Sequence, residues 1–135
     1  MRTRTRVNEH LARVDLFDGL NQRDLQVVAQ LSTTLNLPAG TALAQQGTPG
    51  REFFVLLDGD VEVIDGDRLV ATRGAGSHLG EIALLEQRPR TATLVAKTPV
   101  TVAVADRREF ASMIQQLPQV RRKLDASKAA RLAEL

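Results

Sequence analysis

Cysteine is absent from this sequence. Without a thiol there is no disulfide framework, no thiol nucleophile, no thiolate zinc site and no cysteine-bound iron–sulfur cluster. The absence suits a reducing compartment, and a cytoplasmic protein is expected. Tryptophan and tyrosine are absent too, and only four phenylalanines occur. Single-strand nucleic-acid binding uses aromatic platforms for the bases, so this class is excluded. The only histidines are His10 and His78. They are too few for the multi-histidine metal site of a catalytic cupin-type barrel. No serine has a Gly-x-Ser-x-Gly setting that would mark a nucleophile. No apolar run approaches the ~18 residues of a membrane span. These gaps point to a binding module and not an enzyme, with no catalytic residue, no metal, no nucleic acid and no membrane.

What remains is a chain of 135 residues, enough for one domain with a core of its own. The 18 basic and 16 acidic residues leave a net charge of +2, a near-balance that argues against general nucleic-acid binding. Every basic residue is arginine except Lys97, Lys123 and Lys128. That bias reads as bacterial, GC-rich coding. The start, Met1-Arg2-Thr3-Arg4-Thr5-Arg6, is basic but no apolar stretch follows it. It is therefore read as part of a solvated tail over residues 1–10, not as a secretory signal.

From Leu11 the pattern runs helix, many short strands, helix. Leu11, Val14, Leu16 and Phe17 are weakly helix-periodic, and Asp18-Gly19-Leu20-Asn21 breaks the pattern. Asn21 is placed to cap a helix through Leu31, with Asp24 in its first turn. Turn clusters then recur at Pro38-Ala39-Gly40, Gly47-Thr48-Pro49-Gly50, Asp58-Gly59-Asp60, Asp65-Gly66-Asp67 and Gly74-Ala75-Gly76. Short apolar runs separate them, and Asp-Gly between such runs signals hairpins. Residues 94–96 and 100–104 supply two later strands around a turn at Pro99. Asp106 is placed to cap a helix carrying Phe110, Met113, Ile114 and Leu117, which Pro118 breaks or restarts. The expected fold is mainly β: an eight-stranded antiparallel roll, jelly-roll-like, over about residues 33–105. A helical segment precedes it and one or two helices follow over about 106–135.

Gly80-Glu81-Ile82-Ala83-Leu84-Leu85 stands out among the strands. A glycine, an acid and then helix formers predict a single helical turn, and a helix start offers free N–H groups to an anion. Gly80 lets a ligand approach the backbone. Arg90 follows, held by Pro89, with Thr91 expected to start a strand. Its guanidinium is placed to return to the same anion in a forked contact. Glu81 repels phosphate but accepts from sugar hydroxyls. Singly, Glu81 and Arg90 read as a surface ion pair. Together with Gly80 and Pro89-Arg90-Thr91 they describe a ribose-phosphate site.

The run from Gly80 to Leu85, followed by Arg90-Thr91-Ala92-Thr93, closely resembles the phosphate-binding cassette of cyclic-nucleotide-binding domains. The resemblance covers about Leu16 to Leu124 and includes Gly40, Gly47, Gly59 and Gly76 and the hairpin of Phe53 to Val61. It implies that Glu81 binds a ribose hydroxyl, that Arg90 binds the cyclic phosphate, and that backbone N–H groups of Ile82, Ala83 and Thr91 complete the cradle. Threonine at position 91 suits cyclic GMP as well as cyclic AMP, and cyclic AMP is ranked first. His78-Leu79 departs from the family, where an aromatic commonly precedes the cassette glycine. The resemblance further implies that the last helix covers the base, through Val120, Leu124 or Ala126. Arg121-Arg122-Lys123 reads as a solvated helix face. The family's transcription regulators carry a helix-turn-helix after the long helix. None is present by Leu135, so the expected output is a partner effector protein, a fused effector domain or a homodimer. A degenerate domain acting as a ligand-independent interaction module is the alternative.

Overall fold

The computed structural model describes residues 9–134. The basic run Met1–Arg6, expected in a solvated tail, lies outside them. Residues 9–12 are helical, and a 3-10 turn follows at Asp15–Phe17. Helix α1 spans Gln22–Gln30. Its cap is Asn21, whose side chain accepts from the Asp24 N–H at 2.9 Å. The capping oxygen satisfies one of the free donors of the first turn.

Eight strands follow, all paired antiparallel. They are β1 (Thr33–Leu37), β2 (Ala42–Ala44), β3 (Glu52–Asp58), β4 (Val61–Asp65), β5 (Arg68–Arg73), β6 (His78–Leu79), β7 (Thr93–Ala96) and β8 (Val100–Asp106). They form two four-stranded sheets, β1-β8-β3-β6 and β2-β7-β4-β5. The Asp-Gly turns at 58–60 and 65–67 join β3 to β4 and β4 to β5 as the sequence predicts. Thr91 does not start a strand: β7 begins at Thr93, and residues 91–92 form a bend.

Strand β3 explains the longest apolar run of the roll. Successive side chains of a strand point to opposite faces. Phe53 and Val55 pack with the helices, alongside Ala103 and Ala105 of β8. Phe54 and Leu56 point between the sheets, against Val61, Leu79, Leu94 and Val102. Both faces of the first sheet are covered, so its two central strands show no polar alternation.

Helix α2 (Glu81–Leu85) interrupts the roll between β6 and β7. Helix α3 (Arg107–Gln116) opens with a capping box: the Asp106 side chain accepts from the Glu109 N–H, and the Glu109 side chain accepts from the Asp106 N–H. Its Phe110 and Met113 are buried against β3 and the N-terminal segment. Proline, tolerated in a first turn, starts helix α4 (Pro118–Glu134). Val120 and Leu124 of α4 are fully buried in the helical core. The turns beyond them run back over α2 and β5, which brings the end of α4 to the cassette.

Candidate functional site

A cleft of about 540 Å³, partly open to solvent, lies between α2 and the second sheet. All six residues expected to bind ligand line it: Gly80, Glu81, Ile82, Ala83, Arg90 and Thr91. Val63, Val70 and Leu94 form an apolar wall. Arg73, Arg131 and Glu134 close the rim.

Gly80 is the N-cap of α2 and has φ +88°, a left-handed conformation that costs a residue with a side chain about 1–2 kcal/mol. A Cβ there would also stand 2.7 Å from Nη1 of Arg90 and 3.1 Å from the Glu52 carbonyl oxygen. The space the glycine leaves open is thus filled by the arginine of the same cassette. Ile82 and Ala83 lie in the first turn of α2, where backbone N–H groups have no partner within the helix.

Arg90 is only 6% exposed. Nη1 donates to the Gly80 carbonyl at 3.1 Å and Nη2 to the Glu52 carbonyl at 2.7 Å. Its Cζ lies 5.6 Å from the centre of the Phe54 ring, a cation–π distance. Among the described residues, no carboxylate is within ion-pair distance of it. Burial pulls its pKa below the ordinary guanidinium value, with Glu52 and Glu81 acting in the opposite sense. An arginine keeps its proton regardless, so the shift measures how costly this buried charge is.

Glu81 does not pair with Arg90. It is 1% exposed, and Nη1 of Arg131, from α4, donates to its two carboxylate oxygens at 2.9 and 3.0 Å. Burial pushes the Glu81 carboxyl above its usual range, and Arg131 acts against that. Burial likewise lowers the Arg131 guanidinium. For both partners desolvation outweighs the attraction, as buried ion pairs commonly show.

The rest of α4 is latched nearby. Arg73 of β5 meets Glu134 at 2.6 Å, and Lys128 meets Glu86 at 3.4 Å. Nε2 of His78 lies 3.0 Å from the Ser127 hydroxyl and 3.7 Å from Glu81. Burial holds His78 neutral, with its pKa lowered to about 3, and the charges of Arg131 and Arg73 add to the effect. His78 is therefore a structural histidine of the latch.

One expectation is corrected here. The α4 residues over the cleft are Arg131 and Glu134, not Val120, Leu124 or Ala126. Val120 and Leu124 face the helical core, and Ala126 is exposed. Arg73, Arg131 and Glu134 escaped sequence reading because none lies in a recognisable motif, and Arg131 and Glu134 are also far from the cassette in sequence. The one available signal was an arginine and a glutamate near the end of a helix with a loose apolar stripe. Arg121, Arg122 and Lys123 are exposed, as expected for a solvated face.

A family model described as the cyclic nucleotide-binding domain matches residues 34–117. The chain belongs to the cyclic nucleotide-binding domain family. The cAMP-dependent protein kinase regulatory subunit of Aspergillus fumigatus is 31% identical over 119 residues, covering 87% of this chain and 29% of that protein. The chain thus spans under a third of the length of this curated relative. Among solved structures, the regulatory subunit of a cAMP-independent protein kinase A from Trypanosoma brucei superposes with a TM-score of 0.85 at 27% identity. That match covers 95% of this chain and 46% of the other. A triple variant of the Trypanosoma brucei subunit, with substitutions that include threonine to arginine, is described as bound to cAMP in its A site. It matches with a TM-score of 0.83 at 27% identity over 93% of this chain and 47% of the other. The Thermus thermophilus Catabolite Activator Protein matches with a TM-score of 0.79 at 28% identity, over 88% of this chain and 58% of its own.

The Aspergillus relative is a regulatory subunit, in keeping with a regulatory domain and not a catalytic one. Being fungal, it lends no support to reading the arginine bias as bacterial. Among the described residues, no helix is long and apolar enough to cross a membrane.

Proposed function

We propose that this domain binds cyclic AMP in the cleft beside α2 and reports occupancy through α4. The observation that carries the reading is Arg90: a buried guanidinium beside a helix start, whose side-chain hydrogen bonds among the described residues go to neutral carbonyls. A cyclic phosphate supplies the counter-charge this arginine lacks, through charge-assisted hydrogen bonds. The N–H groups of Ile82, Ala83 and Thr91 add donors to the same anion. The cleft lining also balances: three arginines against two glutamates leave one net positive charge, matching a singly charged ligand. Val63, Val70 and Leu94 offer the base an apolar wall. Cyclic AMP is placed before cyclic GMP because the Aspergillus relative is a cAMP-dependent subunit. Thr91, half-buried in the lining, leaves the guanine form as the competitor to measure.

Glu81 takes a ribose hydroxyl, and it can do so only by sharing or releasing Arg131. Ligand entry is therefore coupled to the latch that holds α4. A ligand moves that equilibrium only by its differential affinity for the two positions of the helix. The output passes to an effector protein or a fused effector domain in the cytoplasm.

A thermal-shift series with cyclic AMP, cyclic GMP and adenosine monophosphate tests the ligand, because stabilisation follows affinity by mass action. Cyclic AMP should give the largest shift. Calorimetry on Arg90→Ala should show binding weakened by about 2–5 kcal/mol, the scale for truncating a buried charged contact. Equal binding by variant and wild type refutes the site.

The sealed Glu81 also favours a second reading, a domain that works without cyclic nucleotide and whose α4 stays latched. The similar Trypanosoma brucei regulatory subunit belongs to a protein kinase A described as cAMP-independent, which supports keeping this reading. No thermal shift with any cyclic nucleotide at millimolar concentration would favour this reading.

A further inference from the structure

The segment 47–52 grips the cassette from behind. The Gly47 N–H donates to the Arg90 carbonyl at 2.9 Å, and the Arg90 N–H donates to the Thr48 carbonyl at 2.8 Å. Pro49 and Pro89 form a bridge, and the Glu52 carbonyl takes Nη2 of Arg90. Gly50 sits in the middle of this grip and is buried. Its φ lies outside the left-handed region, so space and not conformation demands a glycine there. A Cβ would collide with the Ala83 Cβ and come within 3.5 Å of Cζ and Nε of Arg90. The Gly50 backbone is therefore wedged against Ala83 in the helical half of the phosphate cradle, while the Arg90 guanidinium stands at ordinary contact distance from where a methyl would sit.

The outer side of that wedge is held by one residue. Nη2 of Arg107 donates to the Gly50 carbonyl at 2.7 Å, 57 residues away in sequence. Arg107 is the first residue of α3, where a positive charge opposes the helix dipole. An arginine is poorly suited to that position on local grounds, and the Gly50 carbonyl gives it a tertiary partner. The distance is that of a charge-assisted hydrogen bond.

We propose that Arg107 is a positioning residue for Arg90: by holding the Gly50 carbonyl it sets how closely the 47–52 segment presses on the phosphate cradle. It thereby couples α3 to the cradle by a route that does not pass through the α4 latch. The consequence for affinity rests on the cyclic-nucleotide reading above; the effect on Arg90 does not.

The test uses the full chain with Arg107→Ala, Arg107→Lys and, as a control on the same exposed turn, Arg108→Ala. In NMR spectra without ligand, Arg107→Ala should shift the Arg90 Nε–H and Ala83 amide signals, and Arg108→Ala should leave them in place. Cyclic AMP affinity should fall roughly tenfold in Arg107→Ala, the scale of one hydrogen bond to a charged group. Arg107→Lys, which keeps a cationic donor, should recover most of that loss. The melting temperature without ligand should fall by several degrees, since the same hydrogen bond is lost from the ligand-free domain. If Arg107→Ala does not fold, Arg107→Gln is read by the same signals. Unchanged Arg90 and Ala83 signals overturn the proposal whether or not nucleotide binds. Shifted signals with wild-type affinity overturn it as well. If the wild-type chain binds no cyclic nucleotide, the ligand reading fails alone, and the Arg90 signals decide the positioning role.

Discussion

Arg131 holds both carboxylate oxygens of Glu81 through a single nitrogen, at 2.9 and 3.0 Å, and so ties α4 to the start of α2. Each partner is desolvated by the arrangement, and each shows it in the direction of its pKa shift. Such a pair adds little net stability when intact, yet is costly to break one-sidedly, because the remaining charge stays buried.

Arg131→Ala should therefore destabilise the ligand-free domain by up to about 3–5 kcal/mol. Combining it with Glu81→Gln should recover a large part of that loss, since the carboxylate that lost its partner is gone. Urea unfolding of the two single variants and the double variant measures the coupling. Simple additivity would show that the pair is not an energetic unit.

Gly80→Ala should fail for two reasons at once. The left-handed φ of +88° costs alanine about 1–2 kcal/mol, and the new methyl displaces Nη1 of Arg90. Stability and nucleotide affinity should fall together, the affinity by more. A variant that binds as wild type would show that Arg90 need not occupy its observed position.

His78 makes stability depend on pH in a defined window. The unfolded chain takes up its proton near the ordinary value of 6.5, and the folded protein refuses it until about 3. The contribution of this residue is therefore complete above about pH 6.5 and is lost progressively as pH falls toward 3. At about pH 5 the loss is about 2 kcal/mol. His78→Gln has no proton to gain, so its stability should decline less between about pH 7 and pH 5. Parallel declines in denaturant titrations at the two pH values would refute the assignment.

Asp106→Ala removes one half of the α3 capping box. The cap should be worth about 1 kcal/mol of stability, a modest drop in melting temperature. The cap lies outside the cleft lining, so cyclic AMP affinity should be unchanged. An affinity loss comparable to that of Arg107→Ala would mean that the whole α3 start, and not Arg107 alone, governs the cradle.

The features legible in the sequence are those decided within a few residues. Asn21 and Asp106 cap their helices, Pro118 starts the last one, and the Asp-Gly turns join β3 to β4 and β4 to β5. The turn from Glu81 to Leu85 is helical, as a glycine followed by helix formers predicts. These outcomes depend on local backbone preference and on the nearest hydrogen-bond partner, so one sequence suffices. Strand β6 has two residues and draws its order from Phe54 and Val55 across the ladder, leaving too little pattern to read alone.

Of the six cassette residues, Gly80, Glu81 and Arg90 were legible from their chemistry, and Ile82, Ala83 and Thr91 from the resemblance to the family's cassette; the fold gathers all six around one cleft. Their partners were not legible. Arg131 reaches Glu81 across 50 positions, and Arg107 reaches Gly50 across 57. The direction of α4 is decided by Val120 and Leu124, which bury themselves in the helical core and leave the last turns to cross the cleft. Sequence alone marked which groups suit a phosphate and a sugar by their chemistry. Only the tertiary structure decided which charges already occupy those groups, because burial and long-range pairing depend on how the whole chain packs.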